Sequence, residues 1–385
     1  MKTYRGITIL MIVTAICIMP ATAVAMGADG YVELVWKFNG EGGIIYGTPA
    51  EHDGVIYFSA EKNVYAIKDG KQVWRYDSPS RVRNDLTYCD GRVYFGDLAG
   101  SVTALDAETG EFIWSYITDG PIYSKQCVHN GRVYATSTDG HLYCFDMKGD
   151  VVWKFGTNDS VKTGPIGYGD DVYFYSDNLY VYSLKADSGK LNWKTQVIGQ
   201  SAQSIKISGG KLYFSTLLGG VYGIDAKTGR PEWKRFEGDQ VSFSDLTLDG
   251  NNLYIVEREG TLYSINPFTG GFYWSNNTST RYHLLSGVYV HDGKVLVLDR
   301  SGDLIAADQN TGEIFSKTRL TNNGTYGKYL KTDSGMLYLG DHNSTLYAYK
   351  LKYPVNGGPD LTVYIAAALM LISFCAGVAL LILRR

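Results

Sequence analysis

The residues best able to do chemistry in this 385-residue chain sit in no catalytic spacing. Its six histidines, His52, His129, His141, His283, His291 and His342, are scattered, and three of them (His52, His129, His291) share one place beside a turn. Cys89, Cys127 and Cys144 are an odd set without regular spacing, which makes neither a disulfide framework nor a CxxC metal site. Small buried hydrophobes are their ordinary role. HExxH, GxSxG, the Walker loop and EF-hand spacing are absent. These residues point to no enzyme, no metal and no cofactor. What remains is a set of polar and aromatic side chains recurring at one phase: Tyr46, Arg83, Asn84, Asp85, Tyr123, Lys125, Lys162, Gln203, Asp245, His283, Tyr326 and Lys328.

That phase belongs to a repeat. The tryptophans are Trp36, Trp74, Trp114, Trp153, Trp193, Trp233 and Trp274, spaced 38, 40, 39, 40, 40 and 41 residues apart. Phe315 follows 41 residues later in the same context, as though its site were fitted to a smaller ring. Each period reads alike. A turn such as His52–Gly54 or Cys89–Gly91 carries Asp-Gly, the dipeptide of a type I′ hairpin, where both central residues need positive φ. A short V-Y-F strand follows, then a second turn, then L-Y-A-L-D, a Thr-Gly turn and the Trp strand. Four strands of about five residues per period is the result. Tyr57, Tyr94, Tyr134, Tyr173, Tyr213, Tyr254 and Tyr338 mark the second strand. A residue present in every period predicts packing at every junction, so the tyrosines and tryptophans are expected to be structural.

Four-stranded units of about 40 residues that cannot bury both faces alone pack radially as propeller blades. The chain holds eight: 46–76, 84–116, 123–155, 163–195, 202–236, 243–276, 284–318 and 326–351. The eighth stops after three strands, while Val32–Gly40 is a Trp strand with no strands before it. Pairing the two closes the ring and leaves no orphan strand. The predicted fold is all-β, an eight-bladed propeller over 31–351 closed by its N-terminal strand. Such a ring gathers the phased polar residues at the channel mouth, and Arg83, Asp85, Lys125, Asp245, His283 and Lys328 are the expected ligand-binding set.

The sentence G-x-V-Y-F-G-x-x-x-G-x-V-x-A-L-D-A-x-T-G-x-x-x-W resembles the pyrroloquinoline-quinone-type propeller repeat over nearly all of Val32–Leu351. That family includes quinoprotein dehydrogenases and the lipoprotein scaffold of the outer-membrane β-barrel assembly machine. For its dehydrogenases the resemblance implies a quinone over the channel, Ca²⁺ held by Glu, Asn and Asp, an Asp base and a vicinal Cys-Cys disulfide. This chain has no Cys-Cys pair and no long insertions to build a cofactor chamber.

Both ends read as membrane signals. Residues 1–25 have a basic start (Lys2, Arg5), an apolar run Ile7–Met19 and Ala23-Val24-Ala25, a signal peptide without a lipobox. A linker of 352–360 leads to Leu361–Leu383, 23 residues without a charge, long enough for a helix crossing about 30 Å of hydrocarbon. Arg384 and Arg385 then form a cytoplasmic tail, giving a single-pass type I protein of the plasma membrane with its propeller outside. Between the signals lie 32 basic and 39 acidic residues with no basic stripe, so nucleic acid is not an expected partner. Envelope or membrane proteins, and surface glycans, are. The leading reading is a protein-binding or scaffolding module; the rivals are a quinone-dependent dehydrogenase and a ligand-sensing ectodomain working with a membrane partner.

Overall fold

The computed structural model describes residues 32–352 except 218, 238, 240, 279–286, 327, 328 and 333, with backbone alone at 201–204 and 329–331. Among these residues the chain forms eight four-stranded antiparallel sheets, each a blade; in seven of them the four strands follow in sequence from axis to rim. Blade 1 comprises Ala50–His52, Val55–Ala60, Asn63–Lys68 and Lys71–Asp77. The turns behave as their sequences require: Asp53 and Gly54 take φ of 49° and 76°, and Asp90 and Gly91 take 47° and 72°.

The ring closes as the sequence predicts. Val32–Asn39 pairs antiparallel with Thr345–Leu351, from Val32 opposite Leu351 to Asn39 opposite Thr345, and so supplies the outer strand of blade 8. The signal peptide, most of the linker, the membrane helix and the tail lie outside the described residues. Among the described residues no helix is long and apolar enough to cross a membrane.

Apolar clusters fill the space between neighbouring blades, and the second-strand tyrosines sit at their centres, from 0% exposed for Tyr94 to 7% for Tyr338. At the rim, each tryptophan lies against the third-to-fourth-strand turn of the next blade. A Cβ added to Gly110 would come within 2.6 Å of the Trp74 ring, and Gly149, Gly189, Gly229, Gly270 and Gly312 receive Trp114, Trp153, Trp193, Trp233 and Trp274 in the same way. These glycines therefore serve twice, for positive φ and for the bare surface the indole covers. Trp74 Nε1 donates to Ala107 O at 2.9 Å, and Tyr57 Oη reaches the same carbonyl at 3.2 Å. Phe315 corrects the sequence reading: it is 49% exposed instead of filling a smaller site. Blade 8 has no third-to-fourth hairpin, because its fourth strand arrives from the other end of the chain. No glycine turn is there to receive an indole.

Candidate functional site

The first strands are shorter than expected, three residues in blades 1 to 4, so the polar residues at the channel lie in the connections that enter each blade. Crowding near the axis explains this. A Cβ on Gly47 would lie 2.2 Å from Asn84 O, and one on Gly164 2.9 Å from Lys125 O, so the connections pack backbone to backbone. Asn84 is consumed by that packing: it is 2% exposed, and its Nδ2 donates to Gly96 O at 3.1 Å and to Ile122 O at 3.3 Å.

Two residues ahead of the first strand, five blades present Thr48, Asp85, Lys125, Gly164 and Asp245, and all five line one central cavity of about 690 Å³. Two residues further out, Tyr123 and Lys162 line it as well. Asp85, Lys125 and Asp245 of the predicted set are thus brought together. Arg83 is not in the cavity wall; it lies over the Tyr46 ring, 4.6 Å from guanidinium carbon to ring centre. His283 and Lys328 fall outside the described residues, and of Gln203 only the backbone is described.

The wall is electrostatically uneven. Lys125, Lys162 and Lys206 come from the consecutive blades 3, 4 and 5, and Asp85 and Asp245 flank them on blades 2 and 6. Lys162 Nζ is held by Asp177 at 2.6 Å. Asp85 Oδ1 accepts the Thr48 N–H at 2.8 Å, which ties the entries of blades 1 and 2 together. Sequence reasoning missed Lys206 and Tyr289, which also line the cavity from inside the first strands. Burial raises the Tyr289 phenol well above the ordinary value, with the Asp85 and Asp245 carboxylates adding to the shift. It remains neutral. Cross-strand pairing carried the signal: Lys206 and Tyr289 lie opposite Tyr213 and Leu296 as Thr247 lies opposite Tyr254, two residues after Asp245 and on the same face of the strand.

The thiol in the described wall is not armed as a nucleophile. Burial pushes the Cys127 thiol up to about 11, against a partial pull from the Gly167 N–H and Lys125. A thiol held protonated at neutral pH is a poor nucleophile.

The repeats match the family model described as outer membrane protein assembly factor BamB over residues 27–126, 64–276 and 138–352. The chain belongs to this family. It is 24% identical to the outer membrane protein assembly factor BamB of Shewanella oneidensis, over 82% of this chain and 88% of that protein. The dehydrogenase subunit of a quinone alcohol dehydrogenase from Komagataeibacter europaeus is 25% identical, but over 60% of this chain and only 40% of that protein. The crystal structure of BamB from Moraxella catarrhalis shares the fold, with a TM-score of 0.73 at 18% identity, covering 83% of this chain and all of that one (100%).

A quinone and its Ca²⁺, which the dehydrogenase branch of the resemblance implies, do not fit the residues present. No group of three or more His, Cys, Asp or Glu among the described residues could share a metal ion. Asp85 is already engaged by Thr48, and Cys127 has no adjacent cysteine.

Proposed function

We propose that the chain is an extracytoplasmic propeller, held at the plasma membrane by the helix 361–383, that binds an envelope or membrane protein at its channel mouth and acts as a scaffold. The observation that carries this reading is coverage. The match to an assembly factor runs through the whole disc and 88% of the relative, whereas the match to the dehydrogenase stops at 40% of that enzyme. A cavity walled by lysines and carboxylates, with its one thiol protonated, supports recognition in preference to turnover.

The test is a photo-reactive residue placed at Tyr123, 42% exposed at the mouth, in the full chain in its own membrane. A discrete crosslink to one membrane or envelope protein, absent when the same residue replaces Leu191 at the rim, is the expected result. Equal crosslinking from both positions would sink the channel-mouth assignment. Carbonate extraction tests the anchor: the full chain should stay with the membrane and a chain ending at Asp360 should be released.

A further inference from the structure

At the seam where the ring closes, four side chains form a continuous stack. The Arg83 guanidinium carbon lies 4.6 Å from the Tyr46 ring centre, Tyr46 lies 4.8 Å from Tyr326, and the Arg300 guanidinium carbon lies 5.3 Å from Tyr326. His342 packs on the Tyr326 ring at 5.0 Å. The five residues come from five separate segments: the connections entering blades 1, 2 and 8, and the second-to-third-strand hairpins of blades 7 and 8.

Three nitrogens in this cluster, Arg83 Nε, Arg300 Nε and His342 Nε2, are buried without a hydrogen-bond partner. The acids nearby are committed elsewhere. Glu61 pairs with Arg81 at 2.9 Å. Asp299 Oδ1 accepts from Ser301 Oγ at 2.8 Å and from the Asp303 N–H at 2.9 Å. Asp341 accepts from Asn323 Nδ2 and from the Asn343 and Thr345 N–H groups, each at 2.8 Å. Neither Arg83 nor Arg300 has a carboxylate of its own among the described residues. A guanidinium stacked on a ring uses its face and leaves its in-plane N–H fork free for a planar acceptor. Each arginine is carried by its own tyrosine, so the cluster offers two separate, pre-oriented forks with aromatic surface between them.

We propose that this stack receives an acidic peptide segment of a partner protein, with one carboxylate at Arg83 and a second at Arg300. The proposal rests on the protein-binding reading above and adds the chemistry of what is bound. Two forks on separate rings suit two carboxylates on one extended chain.

The experiment uses the full-length chain in detergent and a fluorescent decapeptide alternating Glu with Gly, followed by anisotropy. The Glu peptide should bind, its Gln analogue should bind at least about tenfold more weakly, and high salt should weaken the difference. Arg83→Gln and Arg300→Gln should each lose about tenfold or more, while Arg83→Lys, which keeps the charge and loses the fork, should recover only part of that loss. Melting curves like those of the wild type establish that the variants are folded. Equal binding of the Glu and Gln peptides, or unchanged binding by folded Arg83→Gln and Arg300→Gln proteins, overturns the proposal. So does a polyuronate or polyphosphate that outcompetes the Glu peptide, because the site would then be a general anion or glycan site. If the peptide fails while the Tyr123 crosslink still captures a membrane protein, the acidic-peptide assignment falls and the scaffold reading stands.

Discussion

At the rim, seven tryptophans from Trp36 to Trp274 make one contact seven times, each covering the turn glycine of the next blade. Around the axis, five blades present Thr48, Asp85, Lys125, Gly164 and Asp245 at a single equivalent position. The same repeat builds both. What recurs is whatever every junction needs to stay packed, and what varies is free to meet something that is not itself eightfold. The division can be broken by experiment.

Removing residues 31–39 should have the largest effect. It strips Trp36 from Gly70 and Phe38 from the Tyr65 ring, 5.6 Å away, and leaves the Thr345–Leu351 strand as an open edge. We expect a lower melting temperature and aggregation; a deletion chain that melts like the full one would refute closure through this strand. Next comes Trp74→Ala. Truncating a 7% exposed indole should cost about 3–5 kcal/mol, whereas Phe315→Ala, at a half-exposed ring, should cost far less. Chemical denaturation of the two variants compares a buried aromatic with a half-exposed one.

Not every seat is equal. The turn Asp146–Asp150 of blade 3 is one residue shorter than Asp106–Glu111, closing from Asp146 N–H to Asp150 O where its counterpart runs from Asp106 N–H to Glu111 O. The carbonyl in the place of Ala107 O is Met147 O, and Arg92 Nη1 takes it. Trp114 Nε1 is left buried without a partner. Trp→Phe removes the N–H at both sites, so Trp74→Phe should cost about 0.5–1.5 kcal/mol more than Trp114→Phe. Equal losses would mean the indole hydrogen bond contributes nothing to the junction.

The turns also set an acid limit. Hydrogen bonds from Thr109 to Asp106, from Thr228 to Asp225 and from Thr311 to Asp308 hold these carboxyls below the usual carboxylate range. A depressed folded value gives stability above the unfolded value that is lost as pH falls through the folded one. The melting temperature should therefore be flat from about pH 7 to 5 and drop below about pH 4. The Asp106→Asn, Asp225→Asn, Asp308→Asn triple variant should show a shallower drop.

The sequence made the rim legible and the axis only partly so, for a physical reason. A contact repeated at every junction writes itself into the period, as the tryptophan spacing and the Asp-Gly turns do. The channel wall is written once per blade in connections whose length is set by crowding at the axis, so Asn84 looked like a wall residue and is a clamp. Tyr289 went unread because it lies inside the first strand of blade 7 and not in the connection before it. The shortened turn beside Trp114 was visible as "DMKGD" against "DAETGE", yet its consequence depends on Arg92, in the neighbouring blade.

The smallest expected stability change is the most informative about function. Lys125 points into the cavity, and among the described residues it makes no ion pair; what its segment gives the fold is backbone, packed against Gly164. Lys125→Gln removes a charge from the cationic arc of blades 3 to 5 and leaves that backbone in place. Stability should then move by no more than about 0.5 kcal/mol, as for a substitution away from packing and buried networks. The Tyr123 crosslink, two residues away on the same wall, should weaken, because the arc would lose one of its three lysines. A Lys125→Gln protein that melts as badly as Trp74→Ala would show that the channel wall, like the rim, exists to hold the blades together.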